Sequence, residues 1–213
     1  MLGERITATD QLQLDGRAIR QRAAQQSPLF ICNRSPGQAL LPRADASESL
    51  AGGLPRRTGR RYLSISPLPQ PDGGLELLTA DGALAARLQR LVRQWPAEYQ
   101  LRVRGELNEE QLAGLREGQL DRGARLQIAS IDSGGGEGAN RWYTLRCTGV
   151  SGNDLRQLLQ RQAVTVSRVL RVSLGSLLLD RSLARGHSRA LDDEELQQLL
   201  SPASASTPST ADR

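Results

Sequence analysis

An α+β fold with a mixed, mainly antiparallel sheet flanked by short helices is predicted by three features of the sequence. Short apolar runs alternate with polar residues, turn residues join several of them as hairpins, and brief capped amphipathic stretches lie between. A length of 213 residues suggests one main domain with a small appendage, on a prior of about 150 residues per domain. Hydrophobic residues make up 38%, enough for a core, but aromatics are only 3%, so Leu, Val, Ile and Ala must fill it.

The elements follow in order. Residues 1–20 alternate weakly through Ile6, Leu12, Leu14 and Ile19 around the turn dipeptide Asp15-Gly16, a strand pair too small to be a domain. Residues 33–61 are rich in Pro, Gly, Ser and Arg. Within them Pro55-Arg56-Arg57-Thr58-Gly59-Arg60-Arg61 reads equally as a solvated linker and as a phosphate contact. Leu63 and Ile65 then alternate, and Leu75, Leu77 and Leu78 follow a turn at Pro71-Asp72-Gly73-Gly74. Asp81 can cap a helix carrying Leu84, Leu88 and Leu91 on one face. Tyr99, Leu101 and Val103 alternate with Gln100, Arg102 and Arg104, the pattern of a half-buried strand. Asn108-Glu109-Glu110-Gln111 is a capping box leading into Leu112 and Leu115. Leu126 and Ile128 begin a strand whose hairpin partner runs from Trp142 to Cys147, across the glycine-rich connection Gly134–Gly138. Leu155, Leu158 and Leu159 mark another helix.

The strand 164–172 carries a conflict. Val164, Val166, Leu170 and Val172 share one face, and Arg168 falls among them. Either a kink turns Arg168 outward, or Arg168 reaches an anion in a cleft, because an unpaired Arg is almost never fully buried. Asp192 caps a last helix through Leu196, Leu199 and Leu200, and the tail 201–213 is low-complexity and expected to be disordered.

Composition excludes several chemistries. Cys32 and Cys147 stand alone, so neither a disulfide framework nor a zinc site can underlie the fold. The single His187 sits in Arg-Gly-His-Ser-Arg without a nucleophile partner and reads as a loop residue. There is no GxxxxGK[ST] loop, and no GxGxxG after a strand. No apolar run approaches the roughly 18 residues that span a bilayer, and the start MLGERITATD lacks a signal-peptide pattern, so a cytoplasmic protein is expected.

The net charge is +5, and every basic residue is Arg, as a GC-rich genome or an anion-binding role would produce. Residues 151–189 hold seven Arg against Asp154 and Asp180, which equals the whole excess and suggests an anion-binding face.

The segments Leu78-Thr79-Ala80-Asp81-Gly82-Ala83-Leu84-Ala85-Ala86-Arg87-Leu88, Glu98-Tyr99-Gln100-Leu101-Arg102-Val103, Gly135-Gly136-Glu137-Gly138-Ala139-Asn140-Arg141-Trp142-Tyr143 and Val166-Ser167-Arg168-Val169-Leu170-Arg171-Val172 occur in that order. Together they closely resemble the RsuA/RluB-type ribosomal-RNA pseudouridine synthases, over residues 29–200. The resemblance implies a pseudouridine-synthase-like domain over 23–200, preceded at 1–22 by the last strands of a small α-L RNA-binding domain. It also implies enzymes that flip a uridine out, break its C1′–N1 bond and rejoin the base through C5, with no metal or cofactor.

In that family one Asp of a Gly-Arg-Leu-Asp motif is essential. Counting back from Gly74-Leu75, the motif falls on Ser66-Pro67-Leu68-Pro69, so Pro69 stands for the Asp and Pro67 for the Arg. Proline can neither attack carbon nor take a proton, and its fixed φ reshapes the loop. The family's Lys-Pro-x-Gly reads Arg34-Ser35-Pro36-Gly37, and its basic stretch reads Gly149–Gln157, with only Arg156 kept. Tyr99 matches the family's active-site Tyr, though packing beside Leu101 and Val103 explains it as well. Arg168 and Arg171 are retained.

The resemblance thus implies a family member without catalysis that binds RNA, expectedly ribosomal RNA, as a monomer. Its RNA-binding set would be Arg34, Arg56, Arg57, Arg60, Arg61, Arg156, Arg168 and Arg171. Two other readings stay open: a synthase using a displaced acid such as Asp72, and a degraded paralogue acting through protein contacts.

Overall fold

The alternating segment around Tyr99 becomes the middle of the sheet because its neighbours on both sides bury the same face. The computed structural model describes residues 12–14, 17–19, 28–42, 49–55 and 61–201, and of 12–14, 17–19 and Arg122 the main chain alone. Strands are β1 (Leu12–Leu14), β2 (Arg17–Ile19), β3 (Leu29–Arg34), β4 (Leu63–Ser64), β5 (Gly73–Thr79) and β6 (Pro96–Arg104), followed by β7 (Gln127–Ser133), β8 (Asn140–Thr148), β9 (Val166–Leu174), β10 (Leu177–Leu178) and β11 (Ser188–Ala190). Helices are α1 (Gly82–Leu91), α2 (Glu109–Glu117), α3 (Gly152–Arg161) and α4 (Asp193–Leu200).

The main sheet runs β11-β3-β5-β9-β6-β8-β7, with β4 on β5 and β10 on β9. Every pairing is antiparallel except β5 with β9, as the predicted mixed sheet requires. β1 and β2 form a separate antiparallel pair; the turn Asp15-Gly16 and the tail beyond Ser201 lie outside the described residues.

Caps set the helices where the sequence places them. Asp81 accepts from the N–H groups of Ala83 and Leu84 at the start of α1. Asn108 and Gln111 close a capping box on α2, and Asp192 with Glu195 does so on α4. Ser151 with Asp154 closes one on α3 that the apolar pattern did not signal. All four helices contribute to one core with Leu75, Leu77, Tyr99, Leu101, Leu145 and Val169. A smaller cluster of Phe30, Cys32, Leu50, Ala51, Leu54 and Leu78 covers the opposite face of β3 and β5.

The face of β9 differs from the expected one. Val164 and Val166 do point to the main core, but between Val169 and Val172 the buried residues are Val169 and Arg171, while Leu170 and Val172 are half-buried. A register shift is the cause: Arg102 pairs with Arg168 and Val103 with Val166, leaving Ser167 as an extra residue whose hydroxyl donates to Arg102 O at 3.0 Å. One inserted residue exchanges the two faces of a strand. Arg168 is therefore turned outward, away from Tyr99, and the kink rather than the core-side cleft accounts for it.

Cys32 and Cys147 are free and buried, at 0% and 1% exposure. Burial pushes both thiols up to about 12, with Glu76 adding to the effect at Cys32 and Arg171 opposing it at Cys147. Since the thiolate is the reactive form, neither should be modified by a thiol reagent at pH 8 in the folded protein, and both should react in urea. Labelling of either thiol without denaturant would contradict the packing.

Candidate functional site

The connection from Ser66 to Asp72, between β4 and β5, contains Pro67, Pro69 and Pro71, which lack N–H donors, and a backbone bond within it runs from the Asp72 N–H to Pro69 O at 3.0 Å. Four of its carbonyls, those of Ser66, Leu68, Pro69 and Asp72, accept from two arginines. Arg34, at the end of β3, donates to Leu68 O at 3.0 Å, to Asp72 O at 2.9 Å, and to Pro69 O. Arg171, on β9, donates to Ser66 O at 2.8 Å, Ser66 Oγ at 3.1 Å and Leu75 O at 2.9 Å. Between them lies Glu76, which accepts from Arg34 at 2.9 Å, from Arg171 at 3.3 Å and from the Leu68 N–H at 2.9 Å. Arg34, Glu76 and Arg171 are 2%, 0% and 0% exposed.

The arrangement depends on a close approach of β5 to β9. Gly74 has φ +95°, and a Cβ there would sit 2.2 Å from Arg171 O, so glycine is required. Burial pushes the Glu76 carboxyl up, opposed by Arg171, the Leu68 N–H and Arg34. Burial pulls the Arg34 guanidinium down, opposed by Glu76 and Asp72.

Asp72 closes the loop. It is fully buried, and its two oxygens receive Arg156 Nε at 3.0 and 2.9 Å, with Arg156 Nη2 also donating. Arg156 stands on α3 with its side chain 34% exposed, beside an open groove of about 410 Å³ that continues to Val166. Pro69 packs against the first turn of α3: a Cβ on Gly152 would lie 2.5 Å from Pro69 Cδ and 3.0 Å from Leu68 Cδ2. Tyr99 is 0% exposed and donates to Val150 O at 3.3 Å. Burial pushes its phenol up to about 12, against the nearby Arg171 charge, so it stays a neutral hydroxyl at physiological pH.

These positions correct part of the expected binding set. Arg34 and Arg171 are buried and their guanidinium donors are taken by the loop and Glu76, so they hold protein rather than reach a phosphate. Asp72 is more than a turn residue, since its side chain ties the loop to α3. Arg61 is exposed, Arg156 borders the groove, and Arg168 lies on the other face of the sheet. Arg56, Arg57 and Arg60 lie outside the described residues. Glu76 escaped the sequence reading, although a single carboxylate inside the run Leu75-Glu76-Leu77-Leu78 was a usable signal. His187 is exposed in a loop, and among the described residues no His, Cys, Asp and Glu group could hold a metal ion.

The fold is that of a pseudouridine synthase. A crystal structure of a pseudouridylate synthase superposes with a TM-score of 0.67 at 20% identity, covering 92% of this chain and 82% of that one. A chain of an H/ACA ribonucleoprotein solved with a substrate RNA gives a TM-score of 0.52 at 14% identity, over 74% of this chain and 50% of that one. Sequence relatives narrow the class. The ribosomal large subunit pseudouridine synthase B of Salmonella typhi is 33% identical over 197 residues, covering 90% of this chain and 67% of that protein. That of Pseudomonas aeruginosa is 32% identical over 204 residues, 93% of this chain. The chain belongs to the RluB/RsuA-type ribosomal-RNA pseudouridine synthase family. It spans about half the length of the Pseudomonas aeruginosa protein, 52% of it. No protein-family model matches the chain.

Proposed function

We propose that this chain is a catalytically silent pseudouridine-synthase-family protein that binds ribosomal RNA through arginines, as a cytoplasmic monomer needing no metal or cofactor. One observation carries the loss of catalysis. Pro69 stands where the family resemblance puts the essential Asp, and it is packed against Gly152, while the matching Tyr99 has no exposed surface. A flipped uridine needs both a carboxylate and room beside it. Position 69 offers neither.

RNA binding rests on exposed charge. Arg61, Arg181 and Arg185 are exposed, Arg156 is partly exposed beside the groove, and the basic run 56–60 adjoins Arg61 in the sequence. Filter binding of ribosomal RNA across a potassium chloride series should show log K falling with log salt at a slope of about −2 to −4, as expected for roughly three to five phosphate contacts. A flat slope would contradict phosphate binding and favour a role through protein contacts.

A second reading has its own support. Arg156 is the one basic residue kept from the family stretch that holds the catalytic carboxylate, and here its partner is Asp72. A displaced acid therefore occupies that ion pair. Tritium release from labelled ribosomal RNA, compared with Asp72→Ala, separates the readings: turnover that vanishes with the substitution would establish a synthase.

A further inference from the structure

All four helices pack on one side of the sheet, with Tyr99, Leu101, Leu145 and Val169. Among the described residues no helix lies over the reverse side of β9, β6 and β8. There Gln100 and Arg104 are exposed although β6 is an interior strand, and Arg102, Trp142, Thr144 and Arg168 are half-buried. Register places three of these side by side: Arg168 pairs with Arg102, and Arg102 pairs with Trp142. With strands about 4.8 Å apart, the row spans about 10 Å.

Two features of this row lack a structural purpose. Like charges directly opposite each other across strands are destabilising. Arg102 and Arg168 nevertheless face each other, and neither side chain has an ion pair or hydrogen bond among the described residues. Elsewhere on β8 the opposite is seen, where Arg146 is neutralised by Glu98 and Asp132, each at 2.8 Å. Trp142 belongs to neither hydrophobic cluster. The register shift at Arg102 and Val103 sets the row: Ser167 is the extra residue that turns Arg168 to this side.

We infer that this open face of β6, β8 and β9 is a docking site for single-stranded RNA, with Arg102 and Arg168 on adjacent phosphates and a base stacked on Trp142. The chemistry favours RNA over an acidic polypeptide: both satisfy two guanidiniums, but only a nucleobase also uses an indole face. The inference rests on the RNA-binding reading above and adds to it a contact surface on the side away from Pro69 and Tyr99. It also makes the mismatch of paired arginines intelligible, since a binding site tolerates a local cost that a structural position would shed.

The test uses the full chain and a uridine decanucleotide, with poly-glutamate as a second polyanion. Binding is read by filter retention and by Trp142 emission, obtained as the difference between the unsubstituted protein and Trp142→Phe. The decanucleotide should quench that emission to saturation. Arg102→Ala with Arg168→Ala should weaken RNA binding at least about tenfold, Trp142→Ala by about fivefold or more, and the double arginine variant should melt no lower than the parent. Unchanged RNA affinity in these variants, with the parent still binding, would overturn the face and leave the RNA-binding reading standing. No binding of the decanucleotide or of ribosomal RNA by the parent would overturn both. Equal quenching by poly-glutamate would assign the face to an acidic protein and overturn the RNA inference, as would a lowered melting temperature with undiminished affinity.

Discussion

Glu76→Ala should lower the unfolding free energy by about 3–5 kcal/mol, the usual consequence of removing one member from a buried ion-pair group. The reason is geometric. Arg34 and Arg171 are buried at 2% and 0% exposure, and Glu76 is the carboxylate between them. Its removal leaves two guanidiniums close together in a low-dielectric interior and frees the Leu68 N–H. Glu76→Gln keeps an acceptor for that N–H but not the charge, so it should fall between the parent and the alanine variant. Urea denaturation followed by circular dichroism gives the comparison. A loss below about 1 kcal/mol for Glu76→Ala would mean that water reaches the cluster and that the loop is not clamped as described.

The purified protein should convert no uridine in ribosomal RNA above the uncatalysed background, and Pro69→Asp alone should not change that. Each 1.36 kcal/mol of barrier is tenfold in rate, so the loss of a nucleophile or base is expected to cost several powers of ten. Restoring a carboxylate at 69 answers only part of the deficit. Arg156 remains bound to Asp72, Pro67 remains where the resemblance puts an Arg, and Tyr99 remains buried with its hydroxyl on Val150 O. Catalytic groups must be held to within about 0.5 Å, and a single substitution does not rebuild that shell. Pseudouridine detected with the Pro69→Asp variant would show that the rest of the site is intact. Detection with the unsubstituted chain would establish catalysis and refute silence.

Much of this architecture was legible in the chain. Asp81, Asn108 and Asp192 each precede an amphipathic run by the spacing that a cap needs, and each caps a helix. The alternation of Tyr99, Leu101 and Val103 identified the central strand, and the glycine run 134–138 identified the β7–β8 hairpin. What failed was parity. Alternation assumes an unbroken strand, and the extra Ser167 exchanges faces midway, so Arg168 and Arg171 trade the environments that a simple count assigns them. The loop was misjudged for a related reason. Arg34, Glu76 and Arg171 lie far apart in the chain, and the two arginines look like surface charges until three strands bring them to Glu76. Long-range ionic clusters leave no periodic mark.

The outermost pairing of the sheet has a consequence for how the protein is made. β11, near the end of the described chain, supplies the outer neighbour of β3, near its beginning. Until the late residues emerge during synthesis, Leu29–Arg34 has an open edge of unpaired amides beside apolar side chains, a template for pairing with another nascent copy. Contacts between segments so distant also slow folding. Synthesis rate and chaperone supply should therefore affect how much of this protein a cell obtains in usable form.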